Sequence, residues 1–243
     1  MKKRILIALF LGLLTAPVAW SQKAEELVSK IYQMKWRSAH EIASVIEGFR
    51  DHQTGFSISD SFNTLTIKTN EKNHIVIGEL IRKFDVPAKT IEFQFYLIKA
   101  TAAAEGMKDG LPEKIRKVMA EVAGLTRYKG FGSMDAPALR VSEGKEAHLS
   151  GKGHYFYRLG LKGVRVVVTD TGKRQIRVDE FGVNFSIPTG YSEKEYLLRD
   201  IGVNTSFTIG DGETIVVGAS QIREESKDQG AALITVVTAR VLD

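Results

Sequence analysis

The sequence predicts an α+β chain in two parts: a small unit of two helices and short strands ending near Pro87, then a mainly antiparallel, sandwich-like β-domain with one inserted helix. Three observations carry this. Capping signals and apolar stripes at helical spacing precede Pro87. A long alternating strand begins at Thr90, and from Pro137 onward short apolar-alternating runs recur with turn residues between them.

In the first part, Ser38-Ala39-His40-Glu41 reads as a capping box, with Ile42, Val45, Ile46 and Phe49 on one face of the helix that follows. Ile58, then Leu65 and Ile67, sit at strand spacing around the turn-prone run Ser59-Asp60-Ser61-Phe62-Asn63, which predicts a hairpin. Ile77, Leu80, Ile81 and Phe84 form a second helical stripe. Pro87 stops that helix, because it lacks an N–H and biases Val86 away from helical torsions.

In the second part, Ile91, Phe93, Phe95 and Leu97 alternate with Glu92, Gln94 and Tyr96, so Thr90 to Ala100 is a strand with one buried face. A polar link from Ala103 to Gly110 leads to a helix over Leu111 to Leu125, with Pro112 in its first turn and Ile115, Val118, Met119 and Val122 as its apolar stripe. Lys114, Arg116, Lys117 and Glu121 make a solvated face. The later strands fall at Leu139 with Val141, Ala147 with Leu149, Tyr155 to Leu161, Val164 to Thr169, Gln175 to Phe185, Val203 to Ile209, Ile215 to Val217 and Leu233 to Val241. Their connections are too short for parallel crossovers, so antiparallel pairing follows. Asp170-Thr171-Gly172-Lys173 and Gly210-Asp211-Gly212-Glu213 read as hairpin turns, and Arg223 to Gly230 as a solvated charged loop.

The N-terminus sets the compartment. Lys2, Lys3 and Arg4 precede an apolar run from Ile5 to Leu14, and Ala19-Trp20-Ser21 supplies small residues at the positions a signal peptidase reads, so an export signal over 1–21 and a mature start at Gln22 are expected. A spanning anchor fits less well, because the run is shorter than about 20 residues and Pro17 interrupts its end. Removing the three signal cations lowers the formal charge from +5 to +2, with 31 basic against 29 acidic residues, so a nucleic-acid partner loses its support. The chain has no cysteine, which excludes disulfides, a lipid-modified cysteine anchor and thiolate metal sites. About 220 residues then remain, enough for two modest domains or one large β structure.

Several of these residues together resemble a known family. Tyr32, Ala39, Ile42, Ala43 and Ile46, then Phe56-Ser57-Ile58-Ser59-Asp60 and Asn63-Thr64-Leu65-Thr66-Ile67, then Phe84-Asp85-Val86-Pro87, are similar to the short N-terminal ring-building repeat of bacterial secretins, also found in nodulation-linked secretin-like proteins. Asn63, Asp85 and Pro87 match that pattern, and Phe84 stands where it has leucine. The resemblance covers about Lys30 to Ala100 and implies a small βαββα domain over 22–88. A second resemblance, to the secretin core, lies in Pro137 to Val141 with Glu146-Ala147, in Asp211-Gly212-Glu213-Thr214 with the apolar residues after it, and in Ala232 to Val237. It implies a shortened core over 89–243, without a convincing pair of extra hairpins for a gate. The two resemblances imply a non-enzymatic envelope protein that acts by surface: a homo-oligomer with protein partners in a secretion or pilus apparatus, periplasmic, with the outer membrane as a further place of association. Ring closure would come from heterologous contacts between copies, with β-augmentation at strand edges as a second route.

Catalytic, metal and cofactor readings find no support in the text. His40, His52, His74, His148 and His154 lack ligand spacing, Gly132-Ser133-Met134 lacks a nucleophile elbow, and Gly151-Lys152-Gly153 is too short for a phosphate loop. No cofactor, metal or catalytic residue is expected. Tyr155 and Tyr157, within His154 to Arg158, admit two readings: aromatic anchors at a membrane rim or partner interface, or one face of the β-domain core. A free periplasmic module holding a peptide or small ligand in its β-domain is the alternative function, and a hydrolase ranks last.

Overall fold

The computed structural model describes residues 26–49, 52, 54–102, 110–153, 155–192, 195–222 and 230–242, with only the backbone path for 188–192 and 195–198. The predicted signal over 1–21, the link over 103–109, the charged loop over 223–229 and His154 lie outside the described residues. The chain divides into two compact units, one up to Val86 and one from Pro87.

The first unit runs β1 (Val28–Gln33), α1 (Ala39–Ile46), a 3₁₀ turn (Glu47–Phe49), β2 (Gly55–Ser59), β3 (Thr64–Thr69) and α2 (Glu71–Phe84). The three strands form an antiparallel sheet in the order β1-β3-β2. At the start of α1 the Ser38 hydroxyl accepts from Glu41 N–H and the Glu41 carboxylate accepts from Ser38 N–H, the reciprocal pair its sequence predicts. Asn70 caps α2 through Asn73 N–H. Both helices bury their apolar sides against one face of the sheet: Ile42, Ala43 and Ile46, with Ile77 and Ile81, meet Leu65 and Ile67.

The stripes differ from expectation at their ends. Val45, Phe49 and Phe84 are exposed, and His74 is buried on α2 instead. His74 is satisfied from both sides, by the Tyr32 hydroxyl at Nδ1 (2.9 Å) and the Val28 carbonyl at Nε2 (2.9 Å). A carbonyl only accepts, so Nε2 carries the proton and Nδ1 receives the tyrosine O–H.

The second unit contains β4 (Thr90–Thr101), α3 (Glu113–Leu125), β5 (Gly130–Asp135), β6 (Ala138–Ser142), β7 (Ala147–Lys152), β8 (Phe156–Lys162), β9 (Arg165–Val168), β10 (Arg174–Ser192), β11 (Glu195–Gly210), β12 (Thr214–Ile222) and β13 (Ala231–Leu242). One sheet has the order β12-β13-β4-β5, with β6 also on β4; the other has β11-β10-β8-β7, with β9 on β10. All pairs are antiparallel.

A shared core joins the inner faces of these two sheets. Phe93 and Phe95 of β4 stack at 6.0 Å, Phe95 stacks on Phe181 of β10 at 5.6 Å, and Phe181 meets Phe207 of β11 edge-on at 5.7 Å. The half of β4 towards Thr101 is buried on its other face too: α3 covers Ile98, Ala100, Ile234 and Val236 with Ile115 and Met119. That is why the alternation fades after Leu97, since a strand covered on both sides has no reason to alternate. Pro112 stands just before α3, as its cap residue rather than inside its first turn.

Two strands run well beyond their predicted ends. β10 continues past Phe185 to Ser192 and β11 begins at Glu195, so the two form one long ribbon, with register shifts between Val178 and Phe181 and between Pro188 and Gly190. A proline inside a strand withdraws a ladder donor and argues for a strand end, and here a bulge accommodates it.

Candidate interface sites

Two of the secretin-pattern positions, Asn63 and Asp85, act on the same loop. Asn63 closes the β2–β3 turn with a left-handed backbone, φ 48°, which asparagine tolerates better than most residues. Its Nδ2 donates to the carbonyls of Met34 (3.2 Å) and Arg37 (2.9 Å), and its Oδ1 accepts from Ala39 N–H (2.8 Å). Its own carbonyl accepts from Met34 N–H (3.0 Å).

From the other side, Asp85 at the end of α2 accepts from Lys35 N–H at 2.7 Å and from both Trp36 and Arg37 N–H at 2.8 Å. Burial alone would raise the Asp85 carboxyl, but the N–H groups of Lys35, Arg37 and Trp36, with the Arg37 charge, outweigh it and hold the group below its ordinary range. Arg37 Nε also donates to Val86 O (3.1 Å). The loop 34–38 is thus pinned from two sides. Pro87 follows directly and opens the second unit.

Gly212, Glu213 and Thr214 lie at a seam. The turn at Gly210–Glu213, expected as a hairpin, joins β11 to β12, which belong to different sheets. This corrects the expectation, and the reason is register: β11 finishes its ladder on β10 at Gly210, while β12 starts a new ladder on β13 at Thr214. Gly212 takes φ 81°, its N–H donates to Ala239 O (2.8 Å), and its carbonyl accepts from Lys114 Nζ of α3 (2.7 Å). The Glu213 carboxylate accepts from Gly210 N–H (3.1 Å), and the Thr214 and Thr238 hydroxyls bond at 2.6 Å. Asp211 accepts from Val241 N–H (2.9 Å) and pairs with Arg174 of β10 (2.9 Å), tying both sheets to one turn. By contrast, Asp170–Lys173 closes a true hairpin between β9 and β10, with Gly172 at φ 77°.

Tyr157 is 3% exposed and belongs to the core between the sheets. Its hydroxyl donates to Asp135 Oδ2 on the opposite sheet at 2.7 Å, and burial together with that carboxylate pushes the phenol far up. The ring crosses the edge strand where Gly151 leaves room, since a Cβ there would stand 2.2 Å from the hydroxyl. Tyr155 packs partly buried against the same core. Tyr157 is therefore a core side chain, while Tyr155 keeps part of its surface exposed.

Among the described residues no group of three or more histidine or acidic side chains is placed to hold a metal. His40 faces water beside Asp60 at 3.0 Å. His148 lies over Gly160 on the outer face of β8, at the mouth of a trough of about 660 Å³ that also takes in Lys162, Gly182 and Asn204. Four strands contribute to it, so no linear spacing announces it. Among the described residues no helix is long and apolar enough to cross a membrane.

No family model matches the chain, and no curated protein matches it. Solved structures do. The type II secretin GspD of enteropathogenic Escherichia coli superposes with a TM-score of 0.56 at 11% identity, over 88% of this chain and 87% of that one. The type IV competence pilus secretin PilQ of V. cholerae gives 0.55 at 13% identity, over 90% and 79%. InvG, the secretin of the Salmonella SPI-1 type III secretion injectisome, gives 0.55 at 11%, over 89% and 87%. The chain is secretin-like in fold.

Proposed function

We propose that this protein is a secretin-like, non-enzymatic component of a bacterial secretion or pilus apparatus, exported to the periplasm and working as a homo-oligomer at the outer membrane. The observation that carries this is the extent of the likeness, which takes in about nine-tenths of the chain with most of each secretin's own length. In this reading 1–21 is an export signal, 22–88 the ring-building domain and 89–243 a shortened core.

The first unit offers surfaces suited to copies of itself. The helices cover one face of its sheet, and on the other face Ile31 is 71% exposed among Thr64, Thr66 and Ser57. Ile75 and Val76 are exposed on α2. A helix of one copy against the sheet of the next is a heterologous contact that closes when its rotation closes. Each contact is small, and repetition around a ring supplies the total. Asn63 and Asp85 serve that assembly by fixing the shape of the wedge, while Gly212, Glu213 and Thr214 fix the junction of the two larger sheets.

Mass photometry of the chain from Gln22 onward tests this. Discrete high-order oligomers are expected, reduced to monomers by Ile31→Glu with Ile75→Glu. A strict monomer at every concentration, in buffer and in detergent, would sink the proposal.

A further inference from the structure

We infer that the loop end of the first unit is a docking site for an anionic phospholipid surface. Three segments meet there: the β1–α1 loop, the β2–β3 turn and the end of α2, knit by the hydrogen bonds of Asn63 and Asp85. Each exposes a large apolar side chain. Trp36 is 52% exposed, Phe62 72% and Phe84 39%.

Cations accompany the aromatics. Lys35 Nζ stands 4.8 Å from the Trp36 ring and Lys83 Nζ 5.8 Å from the Phe84 ring. The Asp85 carboxylate accepts from backbone N–H groups and Asp60 lies beside His40, so among the described residues neither forms an ion pair with Lys35 or Lys83. Exposed aromatic rings with lysines beside them are the chemistry of the headgroup layer: the ring enters the interface while the ammonium meets phosphate. The pinned backbone matters because a pre-shaped loop loses little freedom when it docks. This site is separate from the ring contact proposed above, which uses the sheet face and the flank of α2.

The sequence supplies a direct reporter. The two tryptophans are Trp20 and Trp36, so the chain from Gln22 onward carries Trp36 alone. Mixed with vesicles of phosphatidylglycerol and phosphatidylcholine, that chain should co-sediment and its tryptophan emission should shift to the blue; with phosphatidylcholine alone it should do neither. Lys35→Glu with Lys83→Glu, both surface changes, should cut vesicle binding at least tenfold and leave the thermal unfolding curve in place. Trp36→Ser should weaken binding severalfold. Co-sedimentation without a shift in Trp36 emission would overturn the inference by placing the contact elsewhere, while leaving the envelope reading intact. Absence of binding to anionic vesicles, or capture by an acidic polypeptide in preference to them, would overturn it as well.

Discussion

The end of the small unit and the seam of the larger one solve the same problem with different means. At the small unit's end, Asn63 and Asp85 hold a single loop by side-chain bonds to six backbone groups, close to a core of nine buried aliphatic residues among those described, fewer than half as many as between the larger sheets. At the seam, Asp211 and Glu213 make similar bonds, but behind them stands an aromatic core built from both sheets. Polar ties therefore decide the shape of the first region, whereas in the second they trim a junction that apolar burial already holds. Small units bury proportionally less surface, so a tie of given strength matters more there.

The largest effect that would test this contrast comes from the aromatic column. Phe95→Ala removes the ring that links β4 to Phe181 and leaves a cavity between the sheets, so a loss of about 3–5 kcal/mol is expected by urea denaturation. The second unit should lose its transition midpoint while the first unit's amide protection in hydrogen exchange stays unchanged. Equal loss in both units would mean that they do not fold as separate bodies.

Next comes Asp85→Ala, which strips acceptors from three N–H groups and should cost about 1–3 kcal/mol in the first unit. Its pH dependence has a definite sign. Because the folded-state carboxyl lies below its unfolded value, its contribution is complete above the ordinary carboxylate range and disappears as pH falls through the folded value. Asp85→Asn should flatten that acid limb. A limb unchanged by the substitution would show that other carboxylates set it.

How much of this was legible in the sequence depends on the range of the interaction concerned. The Ser38–Glu41 capping box and the Asp170–Lys173 hairpin are local, and both are found as read. The inner face of β4 was legible because its residues alternate against one core. What eluded the linear text was decided across the fold: the second burial of Ile98 by α3, the continuation of β10 through Pro188, and the parting of β11 and β12 at a turn that looks like any hairpin. Asn63 and Asp85 stood out by resemblance, but their shared target, the loop 34–38, comes from pairings that only the folded chain brings together. Trp36 and Phe62 carried no signal, since an exposed aromatic and a buried one are the same letter.

A smaller effect is expected at the seam. Asp211→Ala removes one acceptor from Val241 N–H and the partner of Arg174, a change of about 1 kcal/mol. If Asp211→Ala matched or exceeded Asp85→Ala in the denaturation midpoint of its own unit, the contrast drawn above would fail, because the seam would then depend on its polar ties as much as the small unit does.

Smallest of all should be the change at Glu92. On the open part of the β4 sheet its carboxylate bridges Arg140 at 2.7 Å and Arg240 at 2.8 Å, across the register of β6, β4 and β13. The hydrogen bond from Arg140 keeps the carboxyl low, against an opposing effect of burial and with further help from Arg240. Yet both guanidinium groups lie in water, where salt screens the attraction and mobile side chains resist ordering. Glu92→Gln should therefore leave the unfolding midpoint of the second unit where it was at high salt, with a slight loss at low salt. A salt-independent loss would show that this ladder of charges is part of what holds β6 and β13 to β4, alongside the core beneath it.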